Sequence, residues 1–304
     1  MGKLSRPVRP LLNLRTREIL TAGGFLLPNV GVWALTHVFA VGMALWLSFN
    51  DWDLFSPPKF IGLANYVRLF TDDRNFRRAA FNTLYYVIGI VPLSTALSLA
   101  LAIAMNQELR AIRFFRTAFY LPVVTSTVAI SVVWIWLFNP DRGLFNYFLG
   151  LLGVTNTPGW IYDMAWSKPA IIIQNIWHYV GYYMVLFLGG LQGIPAHLYE
   201  AAEVDGATRW QQFWKITLPL LSPTTFLVIV LRVISTFQIF EEVYVMTEGG
   251  PWGSSQSVVY FIYKNAFEFF RMGYASAMAI TLFAVIFVCT LLQFKLQREW
   301  VHYE

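Results

Sequence analysis

Charged residues are scarce in this sequence. Asp, Glu, Lys and Arg make up 13% of its 304 residues, whereas hydrophobic residues make up 57%. A soluble domain usually carries about 25% charged residues, so the composition argues against a soluble globular protein. The net charge of +5 is modest and gives no basis for nucleic-acid binding. This composition indicates a protein whose solvent is the lipid bilayer.

Cysteine and histidine are also rare, which excludes several kinds of site. Cys289 is the only cysteine, so the chain can form no intramolecular disulfide and no cysteine-based metal site. The four histidines, at 37, 178, 197 and 302, have no metal-ligand spacing. The sequence has no G-x-x-x-x-G-K-[ST] phosphate-binding loop, so ATP hydrolysis would require another subunit. We predict a non-catalytic chain with no metal and no cofactor of its own.

Long hydrophobic runs, in contrast, are abundant. Crossing the hydrocarbon core of a bilayer takes about 20 helical residues. Six runs reach that length, at about 22–49, 79–106, 115–138, 169–193, 221–246 and 273–296. Irregular backbone is costly in lipid, so each run predicts one helix. The predicted fold class is therefore an all-α membrane protein with six transmembrane helices within residues 21–298.

The distribution of Lys and Arg predicts the orientation of these helices. With the N-terminus inside, the inner segments hold twelve of these residues and the outer loops nine. The basic N-terminal cluster and the short 107–114 turn carry the most weight under the positive-inside rule. Six crossings place both termini on one side. We therefore expect cytoplasmic segments at 1–20 and 299–304.

The connection between predicted helices 4 and 5, residues 194–222, is longer than a membrane loop needs to be. Helix-forming residues lie on both sides of Gly206, which can end the first helix with a left-handed turn. In the second part, four residues are spaced at i, i+3, i+4 and i+7, which places them on one face of a helix. They are Trp210, Phe213, Trp214 and Thr217. We interpret this connection as a docking site for a protein. The alternative is a helix resting on lipid headgroups, but such helices favour Lys and Arg on their polar face.

Polar residues inside the predicted fourth and fifth helices are candidates for a substrate path. Gln174, His178 and Tyr182 recur at four-residue spacing and predict one face of a helix. A charge at mid-membrane is costly, so Arg232 should face a partner or a wet cavity. These side chains either line a solute path or bond between helices, and the sequence leaves both interpretations open. The candidates are Gln174, Asn175, His178, Tyr182, Arg232, Gln238 and Glu242.

Three stretches of the chain resemble one family. The docking connection matches the EAA motif of ABC importer permeases in its spacing, with Glu200-Ala201-Ala202, Gly206, Ile216 and Leu218-Pro219. Residues 81–149 and 240–280 resemble the carbohydrate-type permeases, the subfamily of oligosaccharide and glycerol-3-phosphate importers. The resemblance covers nearly all of 20–297. The chain departs from the large maltose-type subunit, which has extra N-terminal helices and a large periplasmic insertion.

This resemblance implies a multi-subunit importer in a prokaryotic plasma (inner) membrane. It implies a second homologous permease, two copies of an ATPase that hold ATP and Mg, and an extracytoplasmic solute-binding protein that contacts outer loops including 247–253. It also implies a cytoplasmic coupling helix that docks on the ATPase, with contacts at Glu200, Ala201, Ala202, Asp205 and Gly206. No nucleic-acid partner is expected.

Two other functions remain as alternatives at this point. An ion-gradient-driven secondary sugar transporter would need paired ionisable residues near mid-membrane, of which the sequence offers few. A secondary transporter would also give the docking connection no function. A membrane-embedded enzyme would need a polar catalytic cluster near one interface, and we find none in the sequence.

Overall fold

The computed structural model describes residues 14–107 and 110–300, and most of them are helical. Two short strands, β1 (Asn50–Asp51) and β2 (Lys59–Phe60), pair antiparallel with Asn50 opposite Phe60. In chain order the α-helices are α1 (Leu14–Trp33), α2 (Phe39–Ser48), α3 (Ala64–Thr71), α4 (Arg74–Met105), α5 (Ile112–Tyr120), α6 (Thr127–Leu137), α7 (Leu144–Leu151), α8 (Ser167–Gln192), α9 (Ala196–Val204), α10 (Arg209–Gln212), α11 (Leu218–Leu220), α12 (Ser222–Phe237), α13 (Glu241–Met246), α14 (Val258–Tyr263) and α15 (Met272–Trp300).

Shorter helical turns join several of these helices. Three are π-helical, at Ala34–Val38, Phe213–Thr217 and Lys264–Glu268, and two are 3₁₀-helical, at Leu121–Val124 and Trp160–Tyr162. The first π-helical turn joins α1 to α2 without a break, so that together they form one long helix.

Four continuous helices in the described part of the chain are long and apolar enough to cross a membrane. They are Glu18–Ser48, Arg74–Met105, Ser167–Gln192 and Met272–Gln297. Two bent pairs, Ile112–Val124 with Thr127–Leu137 and Arg209–Leu220 with Ser222–Phe237, raise the number of candidate spans to six if each pair is one span. The all-α membrane fold is thus confirmed, but two of the predicted helices are not continuous.

The third predicted helix, 115–138, is bent by 100° between Ile112–Val124 and Thr127–Leu137. Pro122 lies in the 3₁₀ turn at this bend, where its missing N–H and fixed φ disfavour a continuous α-helix. Thr125 then takes up an extended conformation before α6 begins. The single membrane helix predicted over 115–138 is therefore a bent pair of helices, and the apolar character of a hydrophobic run does not reveal such a bend.

The fifth predicted helix, 221–246, is also two helices, since α12 ends at Phe237 and α13 begins at Glu241. The hydroxyls of Ser235 and Thr236 donate to the carbonyl of Arg232 at 3.0 and 2.7 Å. Such back-bonding by Ser and Thr tends to bend helices. The break places polar side chains at the point where the two helices meet.

Helix α8 lies at the centre of the fold and packs against α4, α5, α6, α12 and α13. Two of its glycines allow this close packing. A Cβ at Gly181 would overlap the carbonyl oxygen of Phe119, and a Cβ at Gly190 would overlap the hydroxyl of Thr224. The absence of a side chain at both positions lets α5 and α12 approach the backbone of α8.

We expect Gly181→Ala to lower the thermal stability of the protein by roughly 1–3 kcal/mol, the usual cost of overpacking a tight contact. The added methyl group would have to displace the backbone of α5 at Phe119. Gly189→Ala is the matched control, because a Cβ at Gly189 of the same helix meets nothing within 4 Å. Thermal unfolding of the detergent-solubilised variants measures the difference, and equal melting temperatures would contradict the prediction.

Candidate functional site

A polar cavity of about 390 Å³ lies where α12 ends and the chain turns into α13. Helices α6 and α8 complete its wall. Hydroxyl, amide, carboxylate and guanidinium groups all reach the cavity, together with aromatic rings. The lining residues are Thr127, Asn175, Tyr179, Tyr183, Arg232, Ser235, Thr236, Gln238, Ile239, Phe240, Glu241 and Glu242.

Three buried side chains in this lining form a hydrogen-bonded relay. Arg232 of α12 donates from Nη2 to Oδ1 of Asn175 at 2.7 Å. Asn175 of α8 in turn donates from Nδ2 to Oε1 of Glu242 at 2.6 Å. The relay joins α8, α12 and α13. It also connects a buried cation to a buried carboxylate through a neutral amide.

The guanidinium of Arg232, whose residue is only 2% exposed, lies against two aromatic rings. Its central carbon is 5.6 Å from the ring centroid of Tyr179 and 5.0 Å from that of Tyr183. Both distances are within range of a cation–π interaction. Its Nε has no hydrogen-bond partner among the described residues. The positive charge is therefore partly compensated inside the protein, while the five N–H donors of the guanidinium are not all used in hydrogen bonds.

Four of the seven predicted path residues line this cavity: Asn175, Arg232, Gln238 and Glu242. The other three lie elsewhere. Gln174 is fully buried, and neither of its amide atoms has a hydrogen-bond partner among the described residues. His178 is buried and stacks on Tyr179, with ring centroids 4.3 Å apart. Tyr182 is 38% exposed and contacts the edge of Tyr183.

The face of α8 that lines the cavity is offset by one residue from the predicted face. Asn175, Tyr179 and Tyr183 line it, whereas the spacing of Gln174, His178 and Tyr182 suggested the neighbouring face. One residue corresponds to about 100° of rotation in an α-helix. Neither tyrosine was among the predicted path residues, although they follow Asn175 at the same four-residue spacing. Both faces carry polar groups, so periodicity alone could not choose between them.

The docking connection folds as two helices on either side of Gly206. Helix α9 ends at Val204, and Gly206 has a φ of +75°. Thr208 and Gln211 then form a reciprocal capping box at the start of α10. The hydroxyls of Tyr199 and Thr217 are 2.9 Å apart and join the two helical parts. The predicted helix–turn–helix arrangement is present in the structure.

The docking connection presents an open surface on which few side chains would hinder the approach of a partner to the backbone. A Cβ at Gly206 would meet nothing within 4 Å. Glu200, Ala201 and Asp205 are exposed and Ala202 is half-buried. A shallow cleft of about 370 Å³ between the two helical parts includes Ala202, Asp205 and Gly206. Val204, which the sequence analysis did not single out, is 89% exposed and adds an apolar contact point.

The loop at 247–253 is held in place by side chains from α4. Arg78 donates from Nη1 to the carbonyl of Trp252 at 2.9 Å, and Asn82 donates to the carbonyl of Gly253 at 3.0 Å. Trp252 itself is 84% exposed. The loop is thus a supported turn that presents an aromatic ring to its surroundings.

Comparison with known families identifies the chain. A family described as binding-protein-dependent transport system inner membrane component matches residues 94–301. That range contains all the residues that line the cavity, and the docking connection as well. The chain belongs to this family. It is the permease component of a transport system that works with a solute-binding protein, and it is a membrane protein with a non-enzymatic role.

Two relatives of this permease align over most of its length. Probable ABC transporter permease protein YesP of Bacillus subtilis is 35% identical, over 99% of this chain and 96% of the relative. Lactose transport system permease protein LacF of Rhizobium radiobacter is 37% identical, over 79% of this chain and 82% of the relative.

Solved structures of a bacterial alginate ABC transporter have the same fold as this permease. One, of a transporter that imports the acidic polysaccharide alginate, has a TM-score of 0.81 and 27% identity, and covers 93% of this chain and 96% of that chain. Another holds a periplasmic protein with a bound alginate pentasaccharide, and has a TM-score of 0.82 and 25% identity over 94% of this chain and 97% of that chain.

Proposed function

We propose that this chain is a membrane-spanning subunit of an ATP-driven sugar importer and that its cavity is part of the sugar path. The observation that carries the proposal is the polar, aromatic-lined cavity between α8, α12 and α13. Sugar hydroxyls need hydrogen-bond donors and acceptors, and sugar ring faces pack on aromatic rings. Amide, carboxylate and guanidinium groups supply the former, and Tyr179, Tyr183 and Phe240 supply the latter.

The docking connection is the proposed site of the ATPase. Glu200, Ala201, Asp205 and Gly206 lie on its open surface, and Ala202 lies at its cleft. Small residues there let a partner approach the backbone, and the carboxylates orient it. ATP and Mg bind to the ATPase partner in this scheme. A second homologous permease and two ATPase copies complete the importer, with the docking connection and both chain termini on the cytoplasmic side.

Helix α12 connects the docking connection to the cavity, after a bend of 63° between Arg209–Leu220 and Ser222–Phe237. It begins at Ser222, directly after the docking helices, and carries Arg232 into the cavity. Ten residues of α-helix span about 15 Å. Because a helix is stiff over that length, a push at its cytoplasmic end moves Arg232 relative to Asn175 on α8. ATP-driven closure of the ATPases would thereby change the shape of the path.

The outer loop at 247–253 is a proposed contact for the binding protein. Exposed aromatic residues on a supported loop lose little conformational entropy on binding, which favours them as interface anchors. Trp252 is the side chain that this argument singles out.

Co-purification and transport test the proposal together. The tagged chain should retain a second permease and an ATPase with a phosphate-binding loop. In proteoliposomes, sugar uptake should require ATP on the ATPase side and the binding protein on the other. Uptake that proceeds without the ATPase and responds to an ion gradient would favour the secondary transporter and overturn this proposal.

A further inference from the structure

The charge balance of the cavity bears on the class of sugar that it accepts. Three lining residues are acidic or basic: Arg232, Glu241 and Glu242. With all three ionised, one positive charge faces two negative charges. If Glu242 takes up a proton in its buried position, the cavity is neutral. In neither state does the cavity offer a surplus positive charge to an anionic solute.

The single cation is also already engaged. Arg232 donates to Asn175 at 2.7 Å, and Asn175 donates to Glu242 at 2.6 Å. A carboxylate that bound Arg232 would lie near the carboxylate of Glu242, because Asn175 joins the two side chains through these hydrogen bonds. The repulsion by Glu242 offsets much of the attraction to Arg232, and Glu241 adds a second repulsion, so the net electrostatic effect disfavours an acidic sugar.

The negative charge of a carboxylate repels an acidic sugar, and it also makes the carboxylate a strong hydrogen-bond acceptor for an uncharged sugar. An ionised carboxylate is an acceptor with several lone pairs, and a sugar hydroxyl is a donor. Hydrogen bonds to a charged acceptor are stronger than those between neutral groups. Glu241 is exposed where it lines the cavity, so it is available to a solute.

We infer that this cavity selects uncharged sugars and excludes sugars that carry a carboxylate, and that Glu241 and Glu242 cause the exclusion. The inference rests on the proposed function, because it names the substrate class of the same path. It separates this chain from the structurally similar importer of the acidic polysaccharide alginate.

The inference is tested by measuring the direct binding of sugars to the complete importer complex. The binding protein is left out of this measurement, so its own selectivity does not contribute. Saturation-transfer NMR titration detects weak binding to the detergent-solubilised complex at pH 7. The probes are lactose, maltose and trehalose, each paired with the derivative in which one C6 hydroxymethyl group is oxidised to a carboxylate. We expect at least one neutral sugar to bind about tenfold or more tightly than its carboxylate partner.

A variant of the cavity residue Glu241 and a control variant test whether the cavity causes this preference. Glu241→Gln should reduce the preference for the neutral sugar several-fold, because the neutral sugar loses a charged hydrogen-bond acceptor and the carboxylate derivative loses a repulsion. Asp141→Asn, at an exposed position of another loop, is the matched control and should leave the preference unchanged. Thermal unfolding of each variant checks that the fold is retained.

Two outcomes would overturn the inference while leaving the sugar path intact. One is equal or tighter binding of the carboxylate derivatives, and the other is an unchanged preference in Glu241→Gln. Binding of neither member of any pair is a different result, since it would overturn the proposed path and the inference with it.

Discussion

Gly206→Asp is expected to reduce ATP-driven uptake by about tenfold or more and to weaken retention of the ATPase on the complex. Gly206 has a φ of +75° and open space where a Cβ would lie. An added carboxylate would occupy the space that we assign to the ATPase. A substitution at the centre of an interface commonly costs about 2 kcal/mol or more of binding energy, which corresponds to roughly 30-fold in affinity.

Gly62→Asp is the matched control for this effect. Gly62 also has a left-handed backbone, with a φ of +59°, and also has nothing within 4 Å of a Cβ. Both substitutions therefore introduce the same backbone strain and the same charge, but Gly62 lies between β2 and α3, away from the docking connection. Uptake in proteoliposomes and co-purification of the ATPase measure the effect. Normal ATPase retention and normal uptake in Gly206→Asp would contradict the assignment of the docking site.

Arg232→Met should reduce sugar uptake by at least about tenfold and lower the stability of the complex. The substitution leaves Oδ1 of Asn175 without its donor and leaves the buried carboxylate of Glu242 without its cation. Leaving a buried hydrogen-bonding group without its partner typically costs about 1–3 kcal/mol. Arg142→Met, at an exposed position of the loop between α6 and α7, is the control for the loss of a positive charge.

The double variant Arg232→Met with Glu242→Gln separates a structural role from a role in the path. Removing the carboxylate together with the cation should restore much of the thermal stability. If Arg232 contacts the sugar, uptake should remain low in the double variant. Recovery of both stability and uptake would show that the relay only holds the helices together, and would remove Arg232 from the path.

Local patterns were sufficient for the docking connection. Its two helical parts and the turn between them follow from nearby residues, because helix propensity, capping and the left-handed tolerance of glycine act within a few positions. The exposure of Val204 was not foreseen, since nothing in the sequence shows which face of α9 other elements leave uncovered.

The sequence by itself determined the membrane-spanning helical class, the candidate spans and the presence of Arg232 among apolar residues, because hydrophobic length and intramembrane charge are properties of single segments. Only the tertiary structure decided which polar face of α8 lines the cavity and that Asn175 joins Arg232 to Glu242. Those contacts join residues 57 and 67 positions apart, and they depend on where the helices bend and how they pack. Helical periodicity specifies which residues share a face but not which neighbour that face meets.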